Sequence, residues 1–177
     1  MADPDTEVES ILRESCSHLG RSLDLLSRVL HPSVPAELGP ISVREPLQFI
    51  SDLHRAGRTH ASLEVAIDPS VQAAAGLQRH LEHALLNLVL NATDALQSQE
   101  AGIIRISARN DGDQVEIVVA DNGPGMAPDA LTGDALRVAS EVLRLSGGTL
   151  AYAPSEPGAR FVVTLPQWRR SAAQREQ

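Results

Sequence analysis

Apolar positions recur along this chain in two periods, and the switches between them mark out its elements. From residue 6 to residue 30, Val8, Leu12, Cys16, Leu19, Leu23, Leu26 and Leu30 stand three or four apart. That spacing makes one stripe on a single long helix, able to pack on a domain or against a partner helix. His31-Pro32-Ser33-Val34-Pro35 and then Gly39-Pro40 interrupt it and read as a linker. Residues 42–56 are expected to form a helix, with Ser42 as N-cap, Glu45 three residues on and Pro46 near the first turn. Leu63-Glu64-Val65-Ala66-Ile67 alternates and predicts a strand. Leu77, Leu81, Leu85, Leu88, Ala92 and Leu96 return to the helical period. Two alternating runs, 103–108 and 114–120, flank Asn110-Asp111-Gly112-Asp113, a hairpin signal. Residues 134–145 predict a helix that stops at Gly147-Gly148, and 149–153 with 160–165 predict a last hairpin. Residues 169–177 are polar and expected to fray.

These elements add up to an α+β fold, a two-layer α/β sandwich. Three helices cover one face of a mixed, mostly antiparallel sheet, and a long N-terminal helix precedes them. The expected division is a helix and linker at 1–40, a domain at 41–166 and a polar tail at 167–177.

Composition narrows what such a fold can do. At 177 residues and 42% hydrophobic content the chain can bury one real core. Aromatics are only 2%, so that core must be leucine, valine, isoleucine and alanine. A formal net charge of −8 argues against nonspecific nucleic-acid binding. All 15 basic residues are arginine, so any cationic role near a phosphate must fall to arginine. A single cysteine, Cys16, excludes an internal disulfide and a cysteine zinc site. Met1-Ala2-Asp3-Pro4-Asp5 is too acidic for a signal peptide, and no apolar run reaches membrane-spanning length. A cytoplasmic protein with no membrane or nucleic-acid partner is expected.

Two motifs carry candidate chemistry. Asp121-Asn122-Gly123-Pro124-Gly125-Met126 follows a strand-like run. It predicts a sharp turn with a fixed carboxylate at its mouth and glycines that let a ligand approach the main chain. Upstream, Asn87, Asn91 and Asp94 lie four and three apart on one face of the leucine-rich helix. Asparagine is a mediocre helix former, and a buried amide without partners costs about 1–3 kcal/mol. Either these side chains are solvated or bond nearby backbone, or they form a row of oxygen ligands for a hard cation such as magnesium.

Taken together, the motifs resemble the ATP-binding domain of sensor histidine kinases and gyrase-type ATPases, the GHKL or Bergerat fold, over residues 41–166. Asn87-Leu88-Val89-Leu90-Asn91-Ala92-Thr93-Asp94-Ala95-Leu96 looks like its asparagine box, and the Asp121 turn like its first glycine box. The resemblance implies ATP or ADP with Mg2+ as cofactor. It makes Asn91 the magnesium ligand with Asn87 as helper, and adds Asp94 to the nucleotide site. Asp121 would accept from the adenine amino group, and Gly123 and Gly125 would admit base and ribose.

The chain also departs from that pattern. A lid of some twenty or more residues normally separates the two glycine boxes, but here only Ala127 to Thr132 intervene. The second box keeps Gly133, has Ala135 at its next glycine position, and sets Asp134 where phosphate would approach a helix N-terminus. Asn87 stands where gyrase-like relatives carry a glutamate base, and an amide cannot serve as one. Hydrolysis by that route is therefore not expected.

No catalytic residue is assigned beyond a weak phospho-acceptor candidate, His18, which Leu19 follows instead of the usual acid. His18, His80 and His83 read more simply as helix-surface residues. Three functions remain open. One is an ATP-binding module of two-component signalling without its own phospho-acceptor hairpin or full lid. The second is an inactive pseudo-kinase scaffold, and the third a dimeric phosphotransferase that does not bind ATP. A response regulator or a partner histidine kinase is the expected partner, with a homodimer through residues 6–30.

Overall fold

Alternation builds the sheet, and the helical stripes roof one side of it. The computed structural model describes residues 38–56, 61–125, 134–155 and 157–169. The expected helix over 6–30 with His18, the segment from Met126 to Gly133 and the tail beyond Arg169 lie outside the described residues. Ten elements follow in order: β1 (Gly39–Ile41), α1 (Arg44–Ala56), β2 (Ser62–Ile67), β3 (Ala74–Gly76), α2 (Gln78–Ala95), β4 (Ile103–Asp111), β5 (Gln114–Asp121), α3 (Asp134–Leu145), β6 (Thr149–Pro154) and β7 (Ala159–Pro166).

Five strands form the main sheet in the order β2-β4-β5-β7-β6. Only β2 and β4 run parallel; the other three pairings are antiparallel. The β4–β5 connection is a two-residue turn, Gly112-Asp113, within the foreseen Asn110-Asp111-Gly112-Asp113, and Gly112 takes the positive φ (57°) that such a turn needs. Ile106, Val119 and Phe161 stand in one cross-strand row, Ala108, Ile117 and Val163 in the next, all buried. Leu47 and Ile50 of α1, Leu81, Leu85 and Leu88 of α2, and Ala139 and Leu143 of α3 close over them. Burying a side chain of this size contributes about 1.5–3 kcal/mol. The two-layer sandwich is thus as expected, and so is its aliphatic core. Among the described residues one aromatic pair, Tyr152 with Phe161 at 5.4 Å between ring centroids, lies near the β6–β7 edge.

Two features differ from the sequence reading. Gly39-Pro40 is part of a strand, not a linker: β1 pairs with β3, Gly39 opposite Gly76 and Ile41 opposite Ala74. Proline is tolerated there because a two-stranded sheet leaves one edge of each strand unpaired. The chain after β7 is also tied down where it is described. Trp168 donates its N–H to the Ala73 carbonyl at 2.8 Å, and Arg169 pairs with Asp113. The start of α1 does follow expectation, for the Ser42 hydroxyl accepts the Glu45 N–H at 3.2 Å. No helix among the described residues is long and apolar enough to cross a membrane.

Candidate functional site

The inward-facing positions of β5 are Val115, Ile117, Val119 and Asp121. Period-two alternation therefore aims a carboxylate into the helix side of the sheet, at the strand's last residue. Asp121 is only 9% exposed. Its Oδ1 accepts two backbone N–H groups, from Gly123 at 2.8 Å and from Ala159 at 3.2 Å. Its Oδ2 receives no hydrogen bond among the described residues, and no fully buried side-chain oxygen is left unpartnered. One carboxylate oxygen is thus locked in place and the other opens onto accessible space.

The turn after Asp121 is fastened from several directions. Asn122 accepts the Ile103 N–H at 2.7 Å and donates to the Ala101 carbonyl at 3.0 Å, which binds the turn to the loop entering β4. Gly123 faces the C-terminal end of α2: a Cβ there would meet Ala95 and Leu96 at 3.5 Å and Asp121 Oδ1 at 2.8 Å. Gly125 has φ of 82°. The structure thereby brings the glycine turn against the helix that carries the amides, one turn beyond Asn91.

Along α2, Leu81, Ala84, Leu85, Leu88, Val89 and Ala92 are buried. Asn87 and Asn91 are half-buried on the adjoining face, and Asp94 is exposed. The Asn91 amide makes no hydrogen bond to another described residue, so the reading in which it bonds nearby backbone does not hold for it. Asn87 Nδ2 lies 3.4 Å from His83 Nε2, and Asp94 Oδ1 accepts a long 3.5 Å bond from Gln97. No group of three or more His, Cys, Asp or Glu among the described residues could hold a metal by itself. An amide oxygen with phosphate and water suits magnesium, which takes few protein ligands. His80 is half-buried, not a plain surface residue. Its Nδ1 lies 3.3 Å from the hydroxyl of buried Ser146, just past α3. Burial, helped by nearby Arg79 and His83, lowers its pKa below the usual 6.5.

One contributor was missed by sequence reasoning. Gly158, before β7, has φ of 102°, and a Cβ on it would stand 1.8 Å from the Asp121 carbonyl oxygen. The Gly158 backbone is therefore pressed against Asp121, and Ala159 next to it supplies the second N–H to the carboxylate. The signal available was a Pro-Gly pair ahead of the last strand, which reads as an ordinary turn. His18 and Gly133 lie outside the described residues, as does the short segment that joins the turn to α3.

A separate cleft of about 620 Å3 is lined by residues of β1, α1 and the β2–β3 loop, and by Gln78. None of the predicted site residues lines it. Gln78 and Ala95 open and close α2, about 25 Å apart at 1.5 Å per residue, so the cleft and the glycine turn belong to opposite ends of that helix.

Residues 76–169, more than half of the chain, match the family model for histidine kinase-, DNA gyrase B-, and HSP90-like ATPases. The chain is 29% identical over 144 residues to the C4-dicarboxylate transport sensor protein DctB of Rhizobium meliloti, which covers 72% of this chain and 23% of that protein. It is 37% identical over 101 residues to the sensor histidine kinase ZraS of Escherichia coli O157:H7, covering 49% and 22%. The chain thus spans about a quarter of the length of these curated relatives. Among solved structures, the Acinetobacter baumannii histidine kinase AdeS superposes with a TM-score of 0.69 at 20% identity, over 96% of this chain and 88% of that one. Full-length ShkA, solved in complex with AMPPNP, superposes at 0.65 with 26% identity, over 97% and 41%. The family match, the fold and the two motifs agree, and the chain belongs to the histidine kinase-, DNA gyrase B- and HSP90-like ATPases, with a domain of the histidine-kinase type.

Proposed function

We propose that this chain is a nucleotide-binding module of two-component signalling that takes ADP or ATP with Mg2+. The observation that carries this reading is Asp121: a buried carboxylate with one oxygen held by two backbone N–H groups and the other open. Such a group is a fixed acceptor suited to an exocyclic amine such as that of adenine. Asn91, half-buried with an unengaged amide, supplies an oxygen for magnesium, and Asn87 stands beside it. Asp94 extends the same face, while Gly123 and Gly125 admit the ligand. Bound nucleotide would contribute the phosphates that complete the metal's ligand set. The partners of this reading are a response regulator and a histidine-kinase protein that supplies the phospho-acceptor.

Calorimetry with ADP and ATP, with and without Mg2+, tests this. The expected dissociation constant is micromolar to millimolar, about 4–8 kcal/mol of binding free energy. Asp121→Asn replaces half of the acceptor pair with a donor and should weaken binding at least tenfold. Absence of heat from either nucleotide at millimolar concentration would falsify the reading. The scaffold alternative would then stand, which the six residues of Ala127 to Thr132 in place of a full lid already favour.

A further inference from the structure

Asn87 has a neighbour on its own helix within reach of its amide. Its Nδ2 contacts Nε2 of His83, one turn earlier on α2, at 3.4 Å. An amide nitrogen only donates, so Nε2 is the acceptor and the ring proton of the neutral imidazole sits on Nδ1. An amide is planar, with its oxygen and nitrogen on opposite sides of the Cβ–Cγ axis. Anchoring Nδ2 on His83 therefore turns Oδ1 away from His83. Asn91 lies one turn on in the other direction along the same face.

This orientation matters because a hard cation takes oxygen ligands and is repelled by an N–H group. An unanchored asparagine can rotate half a turn and present its NH2 where its oxygen should be. We infer that His83 is a positioning residue: its acceptor nitrogen fixes the Asn87 amide with the oxygen turned toward Asn91 and the magnesium side of the site. The inference rests on the nucleotide reading above and adds a residue that neither motif contains. Outer partners of this kind typically carry 10–100-fold in metal affinity.

Two substitutions separate positioning from packing. His83→Gln and His83→Lys introduce long, unbranched side chains of similar helix propensity. Glutamine offers a carbonyl oxygen to Asn87 Nδ2. Lysine only donates, so it draws Oδ1 toward itself and turns the NH2 outward. A packing role treats the two alike. Wild type and both variants are titrated by calorimetry with Mg-ADP and with ADP in EDTA. The side-chain NH2 resonances of Asn87 are recorded by NMR in each protein without nucleotide.

The expected result is Mg-ADP affinity near wild type for His83→Gln and a loss of 10–100-fold for His83→Lys. Metal-free ADP should bind both alike, and the Asn87 resonances should move only in the lysine variant. Should that variant fail to fold, His83→Arg poses the same donor-only question. Equal magnesium dependence in the glutamine and lysine variants, with wild type binding normally, overturns the role of His83 and leaves the nucleotide reading intact. Wild type that does not bind Mg-ADP removes both.

Discussion

Asp121 is held by main chain more than by side chains, so the residues best placed to disturb it are glycines. Gly158 is the sharpest case, since a methyl group there collides with the Asp121 carbonyl and the backbone is already at positive φ. Strain at such a position costs about 1–3 kcal/mol, and forced displacement of neighbours a similar amount. Gly158→Ala should therefore destabilise the domain by about 2–4 kcal/mol. Gly39→Ala is the control: nothing lies within 4 Å of the added carbon. Its effect should stay within about 0.5 kcal/mol. Urea unfolding of both variants makes the comparison. Equal midpoints would show that the β6–β7 turn does not press on Asp121.

At the scale of elements, α2 and the end of α3 are joined by His80 and Ser146, remote from the glycine turn. The folded pKa of His80 lies below its ordinary 6.5 because burial opposes its charge. Below that ordinary value the unfolded chain takes up the proton more readily than the folded one. Stability then falls as pH drops from about 6.5 toward the lowered folded value, and is unaffected by His80 above it. His80→Gln should flatten the part of the pH–stability curve that lies below the ordinary histidine value of 6.5. Chemical denaturation at several pH values checks this, and identical slopes for wild type and variant would refute it.

Legibility also divides by element. The α2 helix, the β4–β5 hairpin and the inward aim of Asp121 follow from periods and turn residues within short windows of sequence. The β1–β3 pair was not legible, because Gly39-Pro40 and Ala74-Ala75-Gly76 are poor strand formers and their partners, each other and Gln167, lie far off in the sequence. Gly158 escaped notice for a related reason: its partner stands 37 residues earlier, and only the sheet brings them together. The polar face of α2 was legible as an oddity, asparagines among leucines, but not the contact of Asn87 with His83.

For the whole molecule, the leucine stripe over residues 6–30 predicts a dimer. Light scattering should give twice the chain mass at high micromolar concentration, and the chain mass for a variant that begins at Leu38. A monomer in the full-length case would contradict the pairing. The topology has its own consequence. The amide-bearing helix follows β3 in the crossover between β2 and β4, which among the described residues form the parallel pair. Such a connection closes only after distant segments meet, whereas the β4–β5 hairpin forms locally. The face bearing Asn87 and Asn91 is therefore expected to assemble late, and a nucleotide bound there as proposed would act as a clasp on that closing step. Opening motions that peel away β2, an edge strand bearing no candidate ligand residue, would be slowed by a molecule that never touches it.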